Sequence, residues 1–233
     1  MKIGGYFIER ITAFEKLLDA VIIDETSPEI YCRKYLGHLL HHRKYYLAIY
    51  ADVLEKLISH SEKTASEISL IDFGAGNGLL GIFSKYCGFK NVFINDIDKK
   101  FVDASRKLAK QVNVPIDDYI PGDIHAVQSF FKNELPDAIV GTDVIEHIYS
   151  LEDFFSTIKK INPSMVSVFT TASNPKNYFK IRQRIGLNQG IRVAPVCQHQ
   201  YIALFFQWIR CLRMARNRRL KITLKFCRKP FTR

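Results

Sequence analysis

Apolar residues fall at three- and four-residue steps early in the chain, then gather into short continuous runs after residue 68. Phe7, Ile11, Phe14, Leu18 and Ile22 share one helical face and predict an amphipathic helix over 6–22. Ser27-Pro28 opens a second helical stretch to about Leu57, with a break near Gly37. The polar run Ser59–Glu67 reads as a linker. Beyond it, predicted strands at 68–73, 91–95, 117–120, 137–141 and 165–170 alternate with helices. The helices are placed at about 78–87, from Asp98 to about Val112, and from Thr142-Asp143 to about Ile161. Leu220, Ile222, Leu224 and Phe226 alternate with Lys221, Thr223 and Lys225, a late strand with one wet face. A loop region at 174–198 and a helix-like segment, Tyr201–Met214, lie before it.

Strands alternating with helices predict an α/β fold: a Rossmann-like, doubly wound, mostly parallel sheet with helices on both faces. Ligands in such sheets sit at the carboxyl ends of the strands. Three parts are expected: an N-terminal helical cap (1–66), the Rossmann-like core (67–173) and an atypical C-terminal part completing the sheet edge (174–233).

Composition changes this picture in one respect. The formal net charge of +11 is very unevenly placed: all 23 Asp/Glu and 17 of the 34 Lys/Arg lie in residues 1–153. Residues 154–233 carry the other 17 basic residues and no acid, so this part calls for an anionic partner. No apolar run approaches the ~20 residues of a membrane span, and the start has no secretion signal. The five cysteines include no C-x-x-C pair and read as reduced thiols, so a cytoplasmic location is expected.

The candidate chemistry centres on Asp72-Phe73-Gly74-Ala75-Gly76-Asn77-Gly78-Leu79-Leu80-Gly81. An apolar strand ends at an acid, turns through glycines and enters a helix, which lets a ligand lie directly on the backbone. Gly76-x-Gly78-x-x-Gly81 also fits a dinucleotide fingerprint, so the loop alone leaves the cofactor open. Asp96, ending the second strand, is placed to accept hydrogen bonds from ribose hydroxyls in either case. Asp123 ends the third strand, and Val144-Ile145-Glu146-His147-Ile148 follows the fourth.

Together, Asp-x-Gly-x-Gly-x-Gly, Asp96, Gly122-Asp123 and the Val-Ile-Glu-His run resemble the class I S-adenosylmethionine-dependent methyltransferases. The small-molecule type is the nearer match, with the ubiquinone-biosynthesis O-methyltransferases and the methyltransferase type 11 group as its closest subgroup, over roughly residues 40–175. The resemblance implies S-adenosyl-L-methionine as cofactor. Gly74, Ala75, Gly76 and Gly78 would underlie its methionine and ribose parts, and Asp72 would anchor the loop. Asp96 would hold the ribose and Ile97 would pack on the adenine. Asp123, with Ile124 beside it, would hold the adenine edge; the Thr142-Asp143 backbone would face the sulfonium; Arg43 is the candidate for the cofactor carboxylate. The activity implied is methyl transfer to a small-molecule acceptor, phenolic or lipid-like, by in-line displacement. The family's two antiparallel closing strands are not matched, since the sequence offers one strand here, without acids.

Several residues admit two readings. His147 is a candidate base, with Glu146 beside it, yet His147, Leu151, Phe154 and Ile158 also share a helical face at the core edge. His38, His41 and His42 have a metal-compatible spacing without a completing acid or cysteine, so no metal is expected and a lid or surface helix is favoured. Tyr86-x-x-x-Lys90 imitates a dehydrogenase pair at the wrong end of the fold. The stretch 201–219 joins Trp208 and phenylalanines to a run of arginines. It reads as a crossover helix with a basic end, a peripheral membrane contact or a nucleic-acid contact. Two rivals therefore stand beside the small-molecule enzyme: a cofactor-binding methyltransferase fold without turnover, and an RNA methyltransferase using the basic C-terminus. The amino-group signature Asn/Asp-Pro-Pro-Tyr is missing after the fourth strand.

Overall fold

The computed structural model describes residues 5–132, 134–171 and 222–226. Its sheet has six strands: β1 (Ser69–Phe73), β2 (Asn91–Asp96), β3 (Asp118–Pro121), β4 (Ala138–Thr142), β5 (Val166–Thr171) and β6 (Ile222–Phe226). They lie in the order β3-β2-β1-β4-β5-β6, and every neighbouring pair is parallel. Strands that are buried along nearly their whole length, such as β1 and β2, explain the continuous apolar runs, because both faces of a parallel sheet are covered.

The helices are α1 (Gly5–Leu18), α2 (Ile23–Thr26), α3 (Ile30–His41), α4 (Arg43–His60), α5 (Leu79–Tyr86), α6 (Lys99–Gln111), α7 (Ile124–Phe130) and α8 (Leu151–Ile161). One face of the sheet packs with α1, α3, α4 and α5 around Phe14, Leu36, Leu54, Ile68, Leu70 and Phe83. The other packs with α7 and α8 around Ile71, Phe93, Val127, Phe154 and Phe169. Phe14 carries the first helix into the core, its ring 5.3 Å from Phe83 and 5.1 Å from Tyr86.

Three local expectations change. The first helix stops at Leu18, and the short α2 follows. The break predicted near Gly37 falls instead at His42, with φ −105° and ψ 23° between α3 and α4. Gly37 lies inside α3, where a single glycine is tolerated once both flanking turns are packed. The helix expected to run unbroken from Thr142-Asp143 is divided: a 3-10 turn, Ile145–His147, precedes α8, which begins after Ser150 caps it through Asp153 N at 3.2 Å. His147 is therefore not on the α8 face with Leu151, Phe154 and Ile158.

The late strand is present at 222–226, and it joins β5 in parallel, unlike the antiparallel edge that the resemblance implies. A parallel pairing requires a crossover of a dozen residues or more, and residues 172–221 give ample chain for one. The predicted loop region 174–198 and helix-like segment 201–214 lie outside the described residues. No helix among the described residues is long and apolar enough to cross a membrane.

Candidate cofactor site

Strand order reverses between β1 and β4, and the crevice of an open parallel sheet lies at that switch, outside the carboxyl ends of the strands. The glycine loop leaves β1 there. Gly74, Gly76 and Gly78 all take positive φ (64°, 54° and 73°), conformations open to glycine at little steric cost. Space forbids side chains as well: a Cβ on Gly74 would lie 2.2 Å from Val144 Cγ2, and one on Gly78 2.6 Å from Ser105 Cβ. Val144 belongs to the turn after β4, so the two strand ends that flank the switch are packed against one another.

Two carboxylates fasten the loop. Asp72, in β1 and 1% exposed, accepts from Gly81 N at 2.7 Å and so ties the strand to the first turn of α5. Its carboxyl pKa is pushed up to about 7, chiefly by burial, partly offset by the Gly81 N–H and reinforced by Asp96. Asp96, ending β2, accepts from Gly76 N at 2.8 Å through one oxygen and from Asp98 N at 2.9 Å through the other. Burial raises its pKa too, against those backbone hydrogen bonds. A carboxylate has about four lone-pair sites, so Asp96 keeps acceptor capacity for a diol beyond these two bonds. Asn95 Nδ2 binds the carbonyls of Ile120 (2.7 Å) and Gly122 (2.9 Å), which holds the end of β3 against β2.

The remaining predicted residues fall around this crevice as follows. Ile97, 78% exposed, stands at the end of β2 with nothing covering it. Asp123 N-caps α7, one oxygen accepting from His125 N at 3.0 Å and Ala126 N at 3.1 Å, and Ile124 behind it is buried in the core. Thr142 closes β4, and Asp143 follows at a φ of 55° with its N–H donated to Thr170 O at 2.9 Å. Glu146 is half-buried and His147 exposed, both in the 3-10 turn beyond Val144. Arg43 opens α4 and is bonded to Asp19 at 2.6 Å, in the segment between α1 and α2. The His42 ring meets those of His38 and His41 edge to face, with centroids 4.8 Å and 4.6 Å apart. Among the described residues no group of three His, Cys, Asp or Glu converges as a metal site.

One set of residues escaped the sequence reading. Tyr35 of α3 lies on the glycine turn: a Cβ on Gly76 would be 2.8 Å from its Cε1. Tyr46 and Tyr50 follow on α4, one turn apart, with ring centroids 6.3 Å apart. Burial raises all three phenols, and Asp143 adds to the rise in each. The i, i+4 spacing of Tyr46 and Tyr50 is visible in the chain, but no local pattern says that α3 and α4 pass over the loop.

The cradle fits an adenosyl ligand: a close-approach glycine turn, a carboxylate with spare acceptor capacity at the end of β2 and an exposed apolar residue, Ile97, next to it. The family match points the same way. Residues 39–209 match the family model described as a methyltransferase domain. The ubiquinone biosynthesis O-methyltransferase of Rickettsia akari (strain Hartford) is 26% identical over 130 residues, 55% of this chain and 50% of that protein. The ribosomal protein L11 methyltransferase of Enterococcus faecalis (strain ATCC 700802 / V583) is 33% identical over 78 residues, 31% of this chain and 25% of that one. The chain spans about half the length of the first of these relatives. A solved structure, magnesium protoporphyrin IX methyltransferase from Synechocystis PCC 6803 with bound SAH, is 19% identical with a TM-score of 0.46, covering 63% of this chain and 65% of that one. With the family match extending over well more than half of the residues, the chain belongs to the class I S-adenosylmethionine-dependent methyltransferases.

Proposed function

We propose that this chain moves a methyl group from S-adenosylmethionine to a small-molecule acceptor, phenolic or lipid-like in character. The observation that carries the reading is the glycine turn at the strand-order switch, held by Asp72 through Gly81 and by Asp96 through Gly76. The cofactor, when bound, supplies a methyl group on a positively charged sulfur, already an excellent leaving group. Gly74, Ala75, Gly76 and Gly78 form the floor of the site, Asp96 takes the ribose hydroxyls and Ile97 covers one adenine face. Asp123 and Ile124 meet the adenine edge, the Thr142-Asp143 backbone borders the sulfonium side, and Arg43, released from Asp19, takes the carboxylate. The protein's principal task is then to align the acceptor with the bond that breaks. Glu146 and His147, in the turn next to Thr142-Asp143, are the groups for receiving an acceptor proton where one must leave.

In this reading residues 1–66 cap the site, 67–173 hold the cofactor and 174–233 complete the acceptor side. The relatives named as ubiquinone biosynthesis O-methyltransferases favour a phenolic acceptor with a lipid tail. Calorimetric titration with S-adenosylhomocysteine is the test. Binding to the wild-type chain, weakened at least about tenfold in Asp96→Ala and with no heat from NADH, is expected, since a hydrogen-bonded pair of hydroxyls is lost. A folded chain that binds no S-adenosylhomocysteine would refute the reading.

A further inference from the structure

Resting on that cofactor reading, we infer that Tyr35 and Tyr46 form an aromatic seat for the sulfonium, which binds the charged cofactor in preference to the neutral thioether left after transfer. Tyr35 lies against the glycine turn at Gly76, yet it stays 37% exposed. Its ring is held from behind by Phe101 of α6, edge to face at 5.6 Å, and Phe101 is braced in turn by Tyr31 at 5.6 Å. The orientation of Tyr35 is thus set by packing before any ligand arrives.

One helical turn on from Tyr35, at His38, α3 is met by Tyr46 of α4. That helix runs against the strands: Lys63, just beyond its end, pairs at 2.6 Å with Asp137, at the entry to β4. Its first turns therefore stand toward the carboxyl ends of the strands. The Tyr46 hydroxyl is tied to His38 Nε2 at 3.1 Å, which fixes the ring. Besides burial, the charge of Asp143, just past β4, raises both phenols. Tyr35 on the glycine turn and Tyr46 one helical turn along make an electron-rich pair of rings beside the loop. A sulfonium, whose charge is spread over carbon-bound groups, suits aromatic faces, and the neutral thioether has no charge for them to attract. Tyr35 and Tyr46 are accordingly specificity-determining residues for the charge state of the cofactor.

The full-length chain is titrated calorimetrically with S-adenosylmethionine and with S-adenosylhomocysteine, as wild type, Tyr35→Leu, Tyr35→Phe and Tyr46→Leu. Each leucine variant is expected to weaken S-adenosylmethionine about tenfold more than S-adenosylhomocysteine, while Tyr35→Phe keeps the wild-type ratio. Equal weakening of both ligands, or no change in either, would overturn the seat and leave the cofactor reading intact. A wild-type chain that binds neither ligand would overturn both. A measurement that needs no variant runs in parallel. The methyl resonance of isotopically labelled S-adenosylmethionine should move upfield on binding, through the ring current of a face-on aromatic, and an unshifted methyl would also overturn the seat.

Discussion

At Asp72 a carboxyl group is enclosed at 1% exposure, meets one backbone donor and lies in the field of a second carboxylate, Asp96. Burial wins over the single Gly81 hydrogen bond, and the pKa rises to about 7. The folded state therefore holds the proton where the unfolded chain, at an ordinary aspartate value, has lost it. Stability from this group falls as pH rises from about 4 through about 7, because over that window the native state binds more protons. Asp72→Asn should flatten that part of the pH–stability profile by up to ~1 kcal/mol per pH unit, as read by urea unfolding at a series of pH values. The amide oxygen can still accept from Gly81. A profile as steep as that of the wild type would show that Asp72 does not carry the slope. The Asp-x-Gly-x-Gly-x-Gly spacing identified this residue in the sequence. Its proton affinity was not legible there, since burial is a property of the fold.

Among the elements, α1 shows how a distant helix becomes part of the site's support. Phe14 is fully buried against Phe83 and Tyr86 of α5, the helix that the glycine loop enters. Phe14→Ala removes a large ring from a packed interior and should cost about 3–5 kcal/mol, measured by denaturant unfolding. The heptad-like apolar spacing predicted that helix and its buried face, and the strands of the core were readable as apolar runs. The turn after β4 was not. Glu146-His147 continues smoothly in sequence toward Leu151, but Val144 must drop into the space above Gly74 and Gly141, and Ser150 restarts the helix. Packing against another loop, not the local period, decides where α8 begins.

Over the whole molecule, charge is very unevenly distributed. Residues 154–233, with 17 basic residues and no acid, give the chain one strongly cationic part whatever its conformation. Vesicles rich in anionic lipid should bind the chain at low ionic strength and release it as salt rises through 0.1 M to ~0.5 M, where the Debye length shrinks to several ångströms. Co-sedimentation with anionic and with neutral vesicles checks this, and binding that ignores salt and lipid charge would contradict it. Binding of RNA in place of vesicles, with the same salt dependence, would direct the search to nucleic-acid acceptors.

The chain by itself determined the α/β class, the strand-loop-helix at Asp72–Gly81 and the acids at the ends of β2 and β3. Each of these depends on residues adjacent in sequence: an apolar run, a glycine that must turn, an acid at a strand end. The approach of α3 to the glycine turn, which lays Tyr35 on Gly76, and the meeting of Tyr46 with His38 were decided only in three dimensions. So were the break at His42, the parallel pairing of β6 with β5 and the high proton affinity of Asp72. The physical reason is common to all of them. Each depends on which segments share a surface, and burial and contact between remote segments have no period along the chain.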